Sequence, residues 1–95
     1  MHVISRKALR SFWEHYPDSK RALSRWFKIM SQCEFGSFNA LHTTFPSADK
    51  VGELVVFNIG GNKYRLVASI HFKRGKVYIR HVLTHQEYDR GRWKP

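Results

Sequence analysis

Apolar residues at helical spacing form two stripes in the first third of the chain. The first stripe consists of Ala8, Leu9, Phe12, Trp13 and Tyr16, and the second of Ala22, Leu23, Trp26, Phe27 and Met30. This spacing predicts two amphipathic helices, one that begins after Ser5 and ends near Tyr16, and one that begins after the break at Pro17–Ser19. We interpret both stripes as core and not as a platform for stacked bases.

Shorter patterns flank these helices. The segment His2–Ile4 has the composition of a short strand. Phe38, Leu41 and Phe45 predict one helical turn, which must end before the proline at position 46. Residues 47–52 are predicted to form a loop.

From Glu53 onward the apolar positions alternate with a period of two, which is typical of strands. The predicted strands are Glu53–Ile59, Lys63–Phe72 and Val77–Leu83, and the turns between them are Gly60–Asn62 and Lys73–Lys76. The order β-α-α-β-β-β predicts a single α+β domain over residues 1–95. In it, two N-terminal helices pack on one face of a small, mainly antiparallel sheet.

Strand alternation divides the sheet residues between two faces, because opposed residues in a hairpin share a face. Loops at Gly61-Asn62 and Arg74-Gly75 predict the opposed pairs Asn58 with Arg65, Ser69 with Arg80, and Arg65 with Thr84. The helix-covered face is predicted to carry Val55, Phe57, Ile59, Tyr64, Leu66, Ala68, Ile70, Phe72, Val77, Ile79, His81 and Leu83. The open face is predicted to carry Leu54, Val56, Asn58, Lys63, Arg65, Val67, Ser69, His71, Tyr78, Arg80, Val82 and Thr84.

Two arginines within the strands, Arg65 and Arg80, are therefore predicted to lie on the open face, beside Asn58. Guanidinium groups bind phosphate through paired hydrogen bonds, so two of them on adjacent strands suit a phosphate grip. The alternative is that both are surface charges whose aliphatic stems pack on the sheet.

The segment after the last strand adds a histidine and a tyrosine. Thr84 and Glu87 match the capping box T-x-x-E, so Thr84 is predicted to end the strand and cap a helical turn. That turn holds His85 and Tyr88 about one turn apart, near the end of the strand that carries Arg80. Arginine, histidine and tyrosine together can hold a phosphate and move a proton.

Charge and composition narrow the partner. The chain has 17 Lys and Arg against 7 Asp and Glu, a net charge of +10. This excess favours nucleic acid or the ribosome as the partner, over another polyanion, an acidic protein or solubility alone.

Other classes of protein are disfavoured by what the chain contains. Cys33 is the single cysteine, which excludes a disulfide framework or a thiolate metal cluster and fits a reducing cytoplasm. The histidines lack the spacing of a metal site, and neither a metal nor another cofactor is expected. No stretch approaches the roughly 18 apolar residues of a membrane span, and Met1–Ser5 is followed by Arg6 and Lys7 without an apolar run. No membrane association is expected.

Two motifs carry a resemblance to a known family. Phe57-Asn-Ile-Gly-Gly-Asn-Lys-Tyr-Arg65 and Val82-Leu-Thr-His-Gln-Glu-Tyr-Asp89 resemble HigB-type toxins of the RelE-like superfamily. The likeness extends to Phe45–Asp49 and Asp89–Lys94, over most of the chain. It implies a RelE-like fold and the toxin of a type II toxin–antitoxin system, an mRNA endoribonuclease that commonly acts in the ribosomal A site. It also implies a HigA-type helix-turn-helix antitoxin as partner.

In that family the active surface is the open sheet face with the C-terminal segment, which maps onto Arg65, Arg80, His85 and Tyr88. The expected reaction is metal-independent attack of a ribose 2′-OH on the adjacent phosphate. His85 suits acid or base chemistry near neutral pH, with Tyr88 as its partner or as a stacking group, and the two arginines would stabilise the phosphorane. Further contacts to message or ribosomal RNA are expected from Asn58, Lys63, Lys50, Lys73, Arg74, Lys76, Arg90, Arg92 and Lys94. A non-catalytic RNA- or ribosome-binding module and a domain that binds an acidic protein are the alternatives.

Overall fold

The computed structural model describes residues 1–94. The strands are β1 His2–Ile4, β2 Asp49–Val51, β3 Leu54–Ile59, β4 Tyr64–His71 and β5 Lys76–Thr84. The helices are α1 Arg6–His15, α2 Lys20–Gln32, α3 Phe38–Thr44 and α4 His85–Arg90. Short 3₁₀ turns occupy Pro17–Ser19 and Phe72–Arg74.

The five strands form one sheet in the order β1-β5-β4-β3-β2. β1 runs parallel to β5, and the other neighbouring strands are antiparallel. The predicted α+β fold with a small, mainly antiparallel sheet is therefore confirmed.

Both predicted N-terminal helices form, and α2 supplies more of the core than α1. Leu23, Trp26 and Met30 of α2 are buried, and the Trp26 ring lies edge-on to Phe57 with the centroids 5.4 Å apart. In α1 only Leu9 is buried, and Tyr16, just beyond the helix, is 38% exposed. The second aromatic stripe is thus core, as predicted, whereas the first lies at the margin of the core.

The segment between α2 and β3 was predicted in part. The predicted helical turn is confirmed as α3, whose N-cap Ser37 accepts a hydrogen bond from the Ala40 N–H at 3.2 Å. The predicted loop over residues 47–52 is wrong, because Asp49–Val51 forms β2 and pairs with β3. A strand of three residues is too short for alternation to show in the sequence, since Val51 is its one apolar residue.

The main core lies between the helices and the helix-covered face. Its sheet residues include Val55, Phe57, Ile59, Leu66, Ala68, Val77 and Ile79, and its helix residues include Leu9, Leu23, Trp26, Met30 and Leu41. The helices thereby fix the positions of β3, β4 and β5, whose other sides form the open face.

A β-bulge at Arg80 interrupts the pairing of β4 with β5. The pairs before it are Ser69 with Tyr78 and Ala68 with Ile79, and the pair after it is Val67 with His81. Arg80 is the extra residue, and such an insertion shifts the alternation of side chains by one position. The predicted pairing of Ser69 with Arg80 is wrong, because the turn before β5 uses four residues, 72–75, and not two.

Beyond the bulge, the predicted division of β5 between the two faces is wrong. His81 and Leu83 lie opposite Val67 and Arg65, and therefore on the open face. Val82 and Thr84 pair with Leu66 and Tyr64 on the helix-covered face, and Val82 packs against the main core. The predicted opposition of Arg65 and Thr84 fails for the same reason, whereas that of Asn58 and Arg65 is confirmed.

The C-terminal segment covers part of the open face. Trp93 is 6% exposed and packs against Val56 and Val67, with Leu83 and Tyr88 at the border of this cluster. Gly91 has a φ of 72°, which allows the chain to turn after α4 and return to the sheet. Strand alternation alone gave no indication of this second, smaller core.

Candidate active site

Helix α4 is fixed at its start by three hydrogen bonds. The Glu87 N–H donates to Thr84 Oγ1 at 3.2 Å, and the Thr84 N–H donates to Glu87 Oε1 at 2.9 Å. The predicted capping box is confirmed. In addition, the His85 N–H donates to the Lys63 carbonyl at 3.0 Å, which attaches the start of α4 to the hairpin between β3 and β4.

The His85 side chain lies beside a carboxylate. Its Nε2 is 3.5 Å from Asp89 Oδ2, one helical turn further along α4, and the side chain is 52% exposed. A carboxylate in this position can orient the imidazole, as in the histidine–aspartate pairs of hydrolases. The tyrosine that the sequence suggested as the partner of His85 has different contacts, so Asp89 is the neighbour that sequence reasoning missed.

Arg65 is 8% exposed and makes three hydrogen bonds. Its Nη1 donates to the carbonyls of Asn62 (3.2 Å) and Tyr64 (3.0 Å), and Nη2 donates to Asn62 Oδ1 (3.3 Å). Within residues 1–94 it forms no ion pair with a carboxylate. The guanidinium is therefore held in place by neutral acceptors, and no carboxylate in this part of the chain neutralises its charge.

Tyr88 connects Arg65 to the C-terminal cluster. The Arg65 Cζ lies 5.4 Å from the centroid of the Tyr88 ring. The same ring stacks on Trp93 with the centroids 5.0 Å apart, and Trp93 Nε1 donates to the Tyr88 carbonyl at 2.9 Å. This geometry suits Tyr88 to orienting Arg65 more than to pairing with His85.

Arg80 is exposed and lies further along the sheet. Its Cζ is 5.6 Å from the centroid of the Tyr78 ring, which lies on the open face. It also borders a groove between α1 and β5, together with His15 and Glu87. Arg80 and Arg65 are thus on adjacent strands as predicted, but Arg80 is exposed whereas Arg65 is buried.

The bulge brings His81, which the sequence placed on the helix-covered face, to the open face. His81 is exposed and borders both the groove between α1 and β5 and a second groove beside Trp93. A polar residue in an otherwise apolar row was the one signal in the sequence that the alternation changes there.

Helix α4 separates His81 from His85. Glu87 and Arg90 border the groove beside Trp93, together with His81. Successive residues of a helix are rotated by about 100°, so His85 and Asp89 project from the other side of α4. The structure therefore brings Arg65 together with Tyr88, and His85 together with Asp89, but it does not bring Arg80 to His85.

The predicted RNA-contact residues fall into separate groups. Arg90 and Arg92 border the groove beside Trp93, and Lys94 Nζ lies 5.9 Å from the Trp93 ring centroid. Lys73, Arg74 and Lys76 lie at the opposite end of the β4–β5 hairpin, and Lys50 lies on the edge strand β2. Asn58 is exposed opposite Arg65.

Lys63 departs from the prediction that it lies on the open face. Its Nζ is 3.2 Å from Asp18 Oδ2, in the turn between α1 and α2. The Tyr64 hydroxyl donates to Asp18 Oδ1 at 2.6 Å. The hydrogen bond from Tyr64 and, to a smaller extent, the contact with Lys63 lower the pKa of the Asp18 carboxyl. The hydrogen bond to Asp18 in turn raises the pKa of Tyr64 to about 12. The hairpin end that holds His85 is thereby attached to the helices.

Two further findings concern residues 1–94. No three histidine, cysteine, aspartate or glutamate side chains come together in this part of the chain in an arrangement that could hold a metal ion. None of its helices is long and apolar enough to cross a membrane.

Comparison with known proteins shows the family. A family model described as HigB_toxin, RelE-like toxic component of a toxin-antitoxin system, matches residues 19–91. The chain belongs to the HigB toxin family. The mRNA interferase toxin HigB of Escherichia coli strain K12 is 41% identical over 92 residues, which cover 94% of this chain and 88% of that protein. The mRNA interferase HigB of Escherichia coli O6:H1 is 28% identical over 93 residues, which cover 95% of this chain and 90% of that protein.

The HigB family model matches a part of the chain that includes all four residues predicted to be catalytic, namely Arg65, Arg80, His85 and Tyr88. It excludes α1, Arg92 and Lys94. Family membership carries with it a toxin–antitoxin system and hence an antitoxin partner.

Proposed function

We propose that this HigB-family toxin is an mRNA interferase that cuts RNA by metal-independent attack of a ribose 2′-OH. The relatives named mRNA interferase support the substrate class. The observation that carries the proposal is one short capped helix, α4, which presents the His85–Asp89 pair and holds Tyr88 against the buried Arg65. An acid–base group and an unpaired cation next to the same helix are what phosphate transesterification requires.

In the proposed reaction, Asp89 accepts a hydrogen bond from Nε2 of His85, so that the neutral imidazole carries its lone pair on Nδ1. Nδ1 takes the proton of the 2′-OH, and the 2′-oxygen bonds to the adjacent phosphorus. The bond from phosphorus to the 5′-oxygen breaks, which gives a 2′,3′-cyclic phosphate and a 5′-hydroxyl. The leaving oxygen takes up a proton in return, and Tyr88, on the same helix as His85, is the donor to test for that step.

Arg65 and Arg80 have different tasks in this proposal. Arg65 is preorganised by its three hydrogen bonds, so it stabilises the charge gained by the phosphorane without reorganising. Arg80 is exposed and holds a flanking phosphate of the RNA. Asn58, Arg90, Arg92 and Lys94 extend the contact along the open face, and Lys50, Lys73, Arg74, Lys76 and Lys63 add attraction at longer range.

We further propose that the substrate is message bound to the ribosome in the cytoplasm, and that the antitoxin is a HigA-type helix-turn-helix protein. The net charge of +10 supports an RNA-rich partner, since it favours association with polyanions.

The experiment compares cleavage of a message on translating ribosomes by the wild type and by single variants. His85→Ala should lower the rate by about 10²–10⁴-fold, the usual contribution of an acid–base group. His42→Ala is the matched control, because His42 is an exposed histidine of α3, away from α4. EDTA should leave the cleavage of free RNA unchanged.

Each alternative gives a different result. If His81→Ala abolishes cleavage and His85→Ala does not, proton transfer belongs to His81. If the wild type binds RNA or ribosomes without forming 2′,3′-cyclic phosphate ends, the chain is a non-catalytic binding module. Cleavage of free RNA that requires a divalent ion would exclude the mechanism.

A further inference from the structure

A basic cleft lies along α1, separate from the candidate active site. It is lined by Arg6, Lys7, Arg10 and Trp13, and its volume is about 410 Å³. The other side of α1, with Ser11 and His15, borders the groove next to Arg80. Helix α1 therefore separates this cleft, termed the α1 cleft, from the groove next to Arg80.

The cations of the α1 cleft are not neutralised within the described chain. All three are exposed, and none is in an ion pair within residues 1–94. The nearest acidic residue along the helix, Glu14, follows Arg10 by one turn but forms no ion pair with it in the same range. A patch of this kind attracts an anion, because bringing one in relieves the repulsion among the cations.

Aromatic rings lie among these cations. Arg6 Cζ is 4.7 Å from the centroid of the Phe27 ring, and Lys20 Nζ is 5.8 Å from that of the half-buried Trp13. Arg6 and Lys20 thus lie over aromatic faces, and the indole offers a flat apolar surface beside them. Cations interleaved with aromatic faces fit a nucleic-acid strand, which has phosphates and planar bases, better than they fit an acidic peptide.

We propose that the α1 cleft binds the sugar–phosphate backbone of folded RNA, as a second RNA-contact surface distinct from the active site. This inference rests on the proposed function, which gives the toxin an RNA partner. The addition is that RNA contacts the molecule on two sides. The toxin would then be held between two RNA segments, with the strand to be cut on the open face and a structured RNA at the helices.

The test measures the affinity for a 2′-O-methyl RNA hairpin as a function of salt. This probe lacks the nucleophilic 2′-OH, so binding is measured whether or not the toxin cuts RNA. The variant is Lys7→Gln with Arg10→Gln. The matched control is Arg21→Gln with Lys28→Gln, which removes the same charge from exposed positions on the far side of α2.

Each phosphate contact contributes nearly one unit to the slope of log K against log salt. The Lys7/Arg10 double variant should therefore lower the slope by about 1.5–2 and weaken binding at low salt by at least about tenfold. The Arg21/Lys28 control should change the slope by less than about 0.5, because its residues make no contact in the proposal. Cleavage of a hexanucleotide, which is too short to reach both surfaces, should be the same for the wild type and the double variant.

Two results would overturn the inference. Equal loss of slope in both double variants would mean that total charge and not the α1 cleft determines binding. The second result is that the Lys7/Arg10 variant keeps the wild-type slope for RNA but binds polyglutamate more weakly. This would assign the α1 cleft to an acidic protein. Failure of the proposed cleavage alone would leave the hairpin measurement intact, so the two failures are distinguishable.

Discussion

The helix-covered face and the open face of the sheet are stabilised in different ways. On the helix-covered face, α1, α2 and α3 pack over aliphatic and aromatic side chains such as Phe57 and Leu66. On the open face, the cover is a short C-terminal segment centred on Trp93. Next to that cover lies Arg65, a buried cation bonded to neutral acceptors.

This difference between the two faces indicates that the helix-covered face serves stability alone. Burial of a charge costs free energy unless it is paired, and a buried arginine without a carboxylate is not what packing by itself would favour. Although the Trp26 indole N–H has no partner within residues 1–94, the helix-covered side avoids the cost of an unpaired charge, since the buried Met1 ammonium pairs with Glu34 at 3.1 Å and the Tyr64 hydroxyl donates to Asp18. The open face accepts it, which is the expected arrangement where an anion is to be bound and stabilised.

The largest expected effect on stability comes from the helix-covered face. Leu66→Ala should lower the free energy of unfolding by about 2–5 kcal/mol, because Leu66 is fully buried and its removal leaves a cavity. Val67→Ala, the adjacent residue on the open face, should cost less, about 1–3 kcal/mol, since fewer methyl groups are lost. Urea unfolding measures both values. A larger loss for Val67→Ala would reverse the comparison of the two faces.

The fold could be predicted from the sequence because its signals are local and long. The stripe of Leu23, Trp26 and Met30 predicts a buried helix, and the alternation around Phe57 predicts a buried strand face. The capping box of Thr84 and Glu87 could also be predicted, since its hydrogen bonds join residues three apart.

The site could be predicted less completely because its geometry depends on contacts distant in sequence. The bulge at Arg80 lies where β5 pairs with β4, and one inserted residue moves His81 to the other face. The cover over the open face depends on Gly91 returning Trp93 to the sheet. Neither the bulge nor the cover produces a periodic pattern in the sequence. The alternation of apolar residues therefore located Arg65 correctly but missed the neighbours of Arg80.

Arg65 gives the next largest effect. Arg65→Ala should lower the free energy of unfolding by about 1.5–3 kcal/mol, the usual contribution of hydrogen bonds from a charged group. It should also lower the rate of RNA cleavage per folded molecule. Arg65→Lys keeps the charge but cannot reproduce three hydrogen bonds and the contact with Tyr88, so it should recover less than half of either loss. Full recovery by lysine would show that charge alone is required on the open face.

The cap of α4 gives a smaller effect. Thr84→Ala should lower the free energy of unfolding by about 1 kcal/mol, because the Glu87 N–H loses its acceptor. Thr84→Ser is the control, since serine caps equally well, and it should remain close to the wild type. Both values come from urea unfolding, and the cleavage rate should follow the same order because His85 is the first residue of α4. Cleavage that is unchanged in Thr84→Ala would separate the position of α4 from catalysis.

The smallest expected effect is at the boundary of the two faces, where Asp18 joins Tyr64 and Lys63. The Asp18 side chain is 52% exposed, so solvent screens the interaction. Its pKa is lowered by Tyr64 and then by Lys63, so its contribution is present above the usual carboxyl pKa and is lost as the pH falls through the lower folded value. The pKa of Tyr64 is raised to about 12, so its contribution is present below about pH 10 and is lost as the pH rises toward that value.

Tyr64→Phe removes this hydrogen bond and keeps a ring that can contact Phe12 and Tyr16, whose centroids lie 5.2 and 5.6 Å from that of Tyr64. The difference in urea midpoint between the wild type and Tyr64→Phe should be constant from about pH 5 to pH 9 and should shrink on both sides. The difference in urea midpoint between the wild type and Asp18→Asn should likewise shrink on the acid side. A difference that does not vary with pH would mean that the hairpin end beside His85 is held by ring packing, and that the attachment of the open face to the helices does not involve the Asp18 carboxylate.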